Sequence, residues 1–342
     1  MKDEKLLAIH HEENSFSSRW IEYCKENNYK YKIVNCYSND IVEQLYGCDA
    51  LLFNWWHHDT KSAIFMRQLT FSLENSGIKV FPNSKTSWHY DDKVGQKYLL
   101  EAIKAPLIKT SIFYDEVEAI NWAKEAKYPK VFKLACGAGS INVSLVHDYD
   151  EARKLISKSF GTGHSVTNRM SLLKDRVIKL KENCNKENIY GLSKGIARAF
   201  IPTNQEKKQA KHKGYVYFQD FIPNNDHDIR VIVIGNKAFA IKRFTRDGDF
   251  RASGSGKISY RREDINVDCI DIAFKTTKDM NAQCVAFDFV FYNGNPLIVE
   301  VSYAFSIDAY NKCEGYWNDD LTFVEGKFIP QEFMIEDLIK SI

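Results

Sequence analysis

Two acids, Asp288 and Glu300, each interrupt a run that is otherwise apolar, β-branched and aromatic. Within the stretch from Val285 to Ser306 these runs flank Asn293-Gly294-Asn295-Pro296, which reads as strand, tight turn, strand. With the turn centred near Gly294 the acids lie at similar distances from it. An antiparallel pair then makes them face each other and project from one face. Carboxylates that close raise each other's pKa unless a cation sits between them. Hard oxygen ligands suit Mg²⁺, which takes one or two carboxylates and leaves its remaining positions to water and phosphates. The competing reading is a solvated hairpin with two exposed acids, and the apolar surroundings speak against a fully wet face.

Cations beside glycines form the second chemical theme. Lys130-Val131-Phe132-Lys133-Leu134 leads into Cys136-Gly137-Ala138-Gly139-Ser140 and then Ile141–Val146. Gly137 and Gly139 let backbone N–H groups approach an anion, and Lys133 at the strand's end adds positive charge. The loop lacks the G-x-x-x-x-G-K-[ST] spacing of a Walker A loop, opens no helix and makes no dinucleotide fingerprint. By itself it is an ordinary hairpin. Asp249-Phe250-Arg251 and Ser253-Gly254-Ser255-Gly256-Lys257 bring another cationic, glycine-bearing loop.

The elements that must position these residues follow from periodicity. Near the N-terminus, strands at Leu6–Ile9, Tyr31–Cys36, Ala50–Trp55 and Lys79–Phe81 alternate with helices at Ser15–Glu26, Ile41–Leu45 and Ser62–Ser76. Ser15 or Ser17 suits the first helix cap and Gly77 a helix stop. This alternation predicts an open, mostly parallel α/β sheet, whose ligands bind at the C-terminal strand ends. His10-His11 and Trp55-Trp56-His57-His58 fall at two such ends, where holding a substrate is a better reading than binding a metal. Ser84–Ile103 reads as a helix carrying Asp91-Asp92-Lys93, ended by Ala105-Pro106. Ser111–Tyr114 reads as a strand and Asp115–Ala126 as a helix. Arg153–Lys213 has the least ordered pattern and is lysine-rich, the mark of a solvated helical insertion, with Leu172–Leu180 as one helix, rather than a basic groove. Beyond it come a strand at Gly214–Phe218, then Gln219-Asp220-Phe221-Ile222-Pro223, paired strands at Asp228–Ile234 and Lys237–Arg243, and a helix at Asp264–Met280.

Bulk properties bound the function. The 342 residues allow about two or three packed domains. With 47 basic and 45 acidic residues the net charge is +2, which gives no case for nucleic acid or an anionic membrane as partner. No run approaches the roughly 20 apolar residues of a spanning helix, and the N-terminus does not read as a signal peptide. The eight cysteines show no C-x-x-C pair and read as reduced thiols of a cytoplasmic protein.

The ordered set of motifs resembles the ATP-grasp superfamily, especially its glutathione-synthetase-like and ribosomal-protein-modifying glutamate-ligase-like branches, over nearly the whole chain. The resemblance implies an α/β architecture: a pre-ATP-grasp α/β domain at 1–87 followed by a two-lobed ATP-grasp fold. Residues 88–218 would form the linker helix, nucleotide lid subdomain and basic insertion, and 219–342 the subdomain with the metal hairpin. Lys93 resembles the first nucleotide lysine, and Lys133 with its Gly137–Gly139 loop the second lysine and phosphate lid. Gln219, Asp220, Phe221 and Ile222 resemble the hinge that meets adenine; the family commonly has Glu at the second position. Asp228 resembles the acidic ribose contact. Arg243 and Arg251 resemble the phosphate and acyl-phosphate stretch, with Arg251 the candidate for the carboxylate substrate. Asp288 and Glu300 match the magnesium carboxylates, and Ser302 stands where the family usually has Asn.

The activity so implied is ATP- and Mg²⁺-dependent joining of a small-molecule carboxylate to an amine through an acyl phosphate. A phosphotransferase and a nucleotide-binding protein with little catalysis are the alternatives, and a homodimer is one possible assembly. The tail, with Tyr303-Ala304-Phe305-Ser306, Tyr310, Cys313 and Gly315-Tyr316-Trp317, resembles ATP-grasp proteins of surface-polysaccharide synthesis. Its aromatics would stack on a sugar or pack against the fold.

Overall fold

A computed structural model describes residues 5–55, 60–137, 142–165, 177, 180, 190–193, 195, 211–246 and 249–342. Gly139, Trp56-His57-His58 and most of the basic stretch 169–213 lie outside the described residues. The chain falls into two compact units. One comprises Met1–Tyr90, Tyr98–Leu107 and Asn224–Ile342; the other comprises Asp91–Lys97 and Ile108–Pro223. The N-terminal segment and the hairpin segment of the sequence reading thus share a unit.

The first unit holds two sheets. Strands β1 (Leu6–His10), β2 (Lys30–Val34), β3 (Ala50–Leu52) and β4 (Lys79–Phe81) form a parallel sheet in the order β2-β1-β3-β4. Helices α1 (Ser17–Glu26), α2 (Ile41–Gln44) and α3 (Thr60–Asn75) connect them. Alternation splits the strands between two cores. Leu7, Ile9, Ala50 and Leu52 pack with α1, while Ala8, Leu51 and Phe53 pack with Met66, Leu69 and Leu73 of α3.

The larger sheet has seven strands: β9 (His227–Ile234), β10 (Lys237–Phe244), β11 (Ile258–Ser259), β12 (Cys284–Tyr292), β13 (Asn295–Ser302), β14 (Gly315–Asn318) and β15 (Phe323–Glu325). Their order is β13-β12-β9-β10-β14-β15, with β11 paired to β10. Ile229, Val231, Val233, Val285, Phe287 and Phe289 turn one face onto α8 (Val267–Met280). Ile232, Ile234, Phe239, Ile241, Cys284 and Ala286 turn the other onto α1 and α9 (Pro330–Ser341). On that second face the same period of two continues as Asp228 and Arg230 on β9, Arg243 on β10 and Asp288 on β12. The sheet is therefore apolar under the helices and charged towards one end of its strands.

The second unit is built on an antiparallel sheet of β5 (Thr110–Phe113), β6 (Lys130–Lys133), β7 (Ser144–Val146) and β8 (Val216–Asp220), in the order β5-β8-β6-β7. Helices α6 (Glu116–Glu125) and α7 (Tyr149–Phe160) cover one face through Ala119, Ala123, Ala152 and Ile156.

Several expected boundaries change. Helix Ser84–Ile103 is broken into α4 (Ser84–Ser87) and α5 (Lys93–Ala102). Asp91, with φ 53°, turns the chain between them. The insertion begins with a regular helix that starts before Arg153: α7 (Tyr149–Phe160) is capped by the Asp148 carboxylate, which accepts the Glu151 N–H. Helix α1 is capped by Phe16 rather than by a serine, and Ser15 instead accepts the Ser17 N–H. Strand β8 continues through Gln219 and Asp220, because it lies between β5 and β6 and both neighbours keep its backbone paired. The supposed hinge thus begins two residues inside a central strand.

Candidate active site

The hairpin pairs Asp288 with Glu300 across β12 and β13, and a bulge follows immediately after Asp288. Directly opposed residues share a face, so both carboxylates project from the same side. On its other edge β12 pairs Asp288 with Arg230, and β9 pairs Asp228 with Arg243. Register alone thus brings two acids and two arginines together. Arg243 forks onto Asp228, with Nε donating to Oδ1 and Nη2 to Oδ2, both at 2.7 Å. The same Nη2 lies 2.9 Å from Asp288 Oδ1, and Arg230 Nη1 lies 3.5 Å from that oxygen.

These side chains are largely buried, which strengthens every charge interaction among them. Burial pushes the Asp228 carboxyl up, helped by Asp288 and opposed by Arg243. Burial works against the charge of both guanidiniums, but Asp288 above all holds Arg243 and Arg230 over their ordinary values. The geometry of two short parallel bonds is that of an ionised pair. Tyr310 is pushed up to about 12 by burial while both arginines pull it down, so its hydroxyl stays protonated. The alternating sequence hid Arg230: its place is visible only once β12 is known to lie beside β9.

Ser302 lies two residues beyond Glu300, opposite Ala286. Its hydroxyl donates to the Ala304 carbonyl at 3.1 Å and accepts the Ala304 N–H at 3.2 Å, a local turn rather than a contact across the sheet. Among the described residues no group of three or more His, Cys, Asp or Glu side chains could hold a metal ion. The donor set therefore fits a hard cation that arrives with most of its own oxygen ligands, and does not form a cage complete in itself. Arg251 is held by its own loop: Nε reaches both Asp249 oxygens at 2.9 and 3.0 Å, and Nη2 reaches Oδ2 at 2.6 Å.

The second unit gathers the lysines. Lys133 is buried on β6, and its ammonium donates to Gln219 Oε1 at 2.7 Å. Gln219 in turn donates to Thr110 Oγ1 at 3.3 Å. Lys130 pairs with Asp220 at 2.6 Å, a partner that sequence reasoning missed. Lys130 stands opposite Asp220 in the ladder, whereas Lys133 stands opposite Tyr217 and reaches Gln219 diagonally. Phe221 and Ile222 follow the end of β8. Lys93 donates through Nζ to the Gly137 carbonyl at 2.8 Å, and Gly137 N–H donates to Asp91 Oδ1 at 2.7 Å. The first lysine thus already touches the glycine loop.

At the end of β1, His10 is buried with Nδ1 near the Val34 carbonyl and the Cys36 N–H, and His11 Nδ1 meets Ser17 Oγ at 3.0 Å. The tail aromatics are mostly core residues: Tyr303, Phe305, Tyr310 and Trp317 are all buried.

No curated protein matches the chain in sequence. The sequence model of the RimK-like ATP-grasp domain matches residues 186–317, and that of the carbamoyl-phosphate synthase L chain ATP-binding domain matches 92–186. Among solved structures the ATP-grasp ligase PsnB, complexed with a minimal precursor, superposes with a TM-score of 0.58 at 13% identity, covering 99% of each chain. D-Alanine–D-alanine ligase from Bacillus anthracis gives 0.53 at 14% identity and 98% of each chain. A RimK-domain ATP-grasp protein from Sphaerobacter thermophilus gives 0.51 at 14% identity, over 86% of this chain and 90% of that one. Two adjoining sequence models of ATP-binding domains and a fold shared over the full length agree: residues 186–317 match a RimK-like ATP-grasp domain, in a chain with the fold of ATP-grasp ligases.

Proposed function

We propose that the chain is an ATP- and Mg²⁺-dependent ligase that joins a small-molecule carboxylate to an amine through an acyl phosphate. The observation that carries this reading is the opposed pair Asp288–Glu300, set beside Arg243 and Arg230 on one sheet face. Solved neighbours named D-alanine–D-alanine ligase, one of them seen with ATP, and ATP-grasp ligase PsnB support it.

Each residue then has a role set by its surroundings. Asp288 and Glu300 hold Mg²⁺, which when bound neutralises phosphate charge. Arg243, kept cationic by two acids, stabilises charge on the transferring phosphoryl. Lys93 and Lys133 hold the nucleotide's phosphates, and the loop at Gly137–Gly139 covers them and excludes water. Gln219, Asp220, Phe221 and Ile222 line the adenine and Asp228 takes the ribose. Arg251 orients the carboxylate substrate, exchanging Asp249 for it. Positioning and fixed charge supply most of such catalysis, with little covalent chemistry asked of the protein.

The reaction is cytoplasmic, which suits the free cysteines Cys24, Cys36, Cys48, Cys269, Cys284 and Cys313 among the described residues. A role in surface-polysaccharide synthesis rests on the resemblance of the tail, because its buried aromatics are committed to packing. The test is ADP release from the full chain against carboxylate and amine libraries that include sugar acids, with product masses recorded. Amine-dependent ADP release and a condensed mass are expected. ADP release without an amine, giving a stable phosphate ester, would replace the ligase by a phosphotransferase. ATP binding without turnover on any pair would favour a nucleotide-binding protein.

A further inference from the structure

The root of the glycine loop is held at four points within the second unit. Ala135 N–H donates to the Tyr215 hydroxyl at 2.7 Å, and the Ala135 carbonyl accepts the Lys93 N–H at 2.9 Å. Gly137 N–H donates to Asp91, and the Gly137 carbonyl accepts the Lys93 ammonium. Three of the four bonds come from the single turn Asp91–Lys93. The fourth, from Tyr215, is the independent tie, because Tyr215 sits one residue before β8.

A hydroxyl that accepts a backbone N–H must send its own proton elsewhere. Tyr215 has His212 Nδ1 at 2.8 Å for that purpose. Burial lowers the His212 pKa against the pull of Asp91 and Asp92, so the ring is neutral and Nδ1 can accept. The backbone of His212 is fixed in turn. His164 and His212 exchange N–H···O bonds of 2.8 and 2.9 Å, and the His164 ring meets Ser159 Oγ at 3.0 Å. Gly163, at φ +72°, permits this approach, since a Cβ there would lie 2.9 Å from the His212 carbonyl oxygen.

We propose that Tyr215, backed by His212, is a positioning residue that fixes the loop root at Ala135–Gly137 and thereby sets the affinity for ATP. The inference rests on the reading of that loop as the phosphate lid. Lys93 is the reason the tie matters. When its ammonium turns from the Gly137 carbonyl to a phosphate, the loop loses one of its four holds. The bond from Tyr215 to Ala135 then keeps the loop root on the β6–β8 sheet.

The experiment uses the full chain and two readouts: backbone hydrogen exchange over residues 134–137 without nucleotide, and binding of ATP and a non-hydrolysable analogue. Tyr215→Phe is expected to speed that exchange and weaken ATP binding roughly 3- to 10-fold, the scale of one neutral hydrogen bond. His212→Ala is expected to do the same. His212→Asn, whose amide oxygen can take the place of Nδ1, restores both to within about twofold. A merely structural histidine would be damaged alike by Ala and Asn, so equal effects overturn the relay. Wild-type exchange and wild-type affinity in Tyr215→Phe overturn the latch. If Tyr215→Phe does not fold, the two His212 variants decide. If the wild-type chain binds no nucleotide, the lid reading falls, and exchange alone judges the latch: faster exchange supports it and unchanged exchange overturns it.

Discussion

One amino nitrogen of Arg243 lies 2.9 Å from Asp288 while it also donates to Asp228 at 2.7 Å. A single cation therefore neutralises two acids that extended strands bring together from β9 and β12. Any cation added at Asp288 meets an arginine already there. If Asp288 holds Mg²⁺ as proposed, phosphates bound with the metal would give the guanidinium new partners.

Removing Arg243 should consequently damage the fold before it damages any reaction. Arg243→Met leaves Asp228 and Asp288 buried with their main counter-charge gone, and breaking such a pair costs about 3–5 kcal/mol. Urea denaturation measures the loss. Arg243→Met combined with Asp228→Asn should recover part of it, since the double change removes the charge left behind. A single-variant loss below about 1 kcal/mol would mean that Arg230 alone neutralises the acids.

Lys133→Ala should lower kcat/KM for ATP by ~10²-fold or more, the scale of one preorganised electrostatic contact. Lys133 is buried and its ammonium donates to the neutral Gln219 amide at 2.7 Å, so its charge is held in place by a preorganised contact. ADP release at saturating substrates and at low ATP separates the two parameters. Activity within about twofold of wild type would reduce Lys133 to a structural lysine that holds Gln219.

The hairpin and its opposed acids were legible in the sequence because apolar alternation and a turn signal at Asn293-Gly294 fix register locally. The same holds for β1 to β4, whose runs alternate with helices. What the sequence hid depends on neighbours distant along the chain. Arg230 meets Asp288 only through the pairing of β9 with β12, and Lys130 meets Asp220 only because β8 inserts between β5 and β6. That insertion also carries Gln219 and Asp220 into a paired strand, where the family resemblance implies a hinge. Helix α7 reads only as the start of a solvated helical insertion, because its lysines mask the buried stripe of Ala152, Ile156 and Ser159.

Asp249 gives a pH dependence of known sign. Burial pushes its carboxyl up, but the Arg251 bonds win and hold it below the ordinary value. A depressed carboxylate contributes stability that is complete above the unfolded-state value of about 3.9 and is lost as the pH falls through the folded value. Asp249→Asn should therefore be less stable than wild type at pH 7. The gap should narrow as the pH drops below about 4. Denaturation midpoints of both proteins between pH 2 and pH 7 check this. A gap that stays constant with pH would show that Asp249 acts through shape alone.

Ser302 carries the prediction that most directly probes the metal. Its hydroxyl is spent on the Ala304 backbone, so it offers little to a cation in its present rotamer. A neutral hydroxyl is also a weaker and shorter ligand than an amide oxygen, and Mg²⁺ keeps a water readily where the protein supplies none. The site should then work with a water in that position and need more free Mg²⁺ than a site with a longer amide donor. Changes beside a metal ligand alter affinity or activity by about 10–100-fold. Ser302→Asn, which lies on the face of Asp288 and Glu300, should lower the Mg²⁺ concentration for half-maximal ADP release without abolishing turnover. Ser302→Ala tests the turn separately: it removes both Ala304 bonds and should reduce stability by about 1 kcal/mol while leaving the Mg²⁺ dependence within about twofold. If Asn leaves the dependence unchanged as well, Ser302 belongs to the turn and not to the metal. If wild type turns over no substrate and the Asn variant gains turnover, the natural serine marks a chain that binds nucleotide with little catalysis.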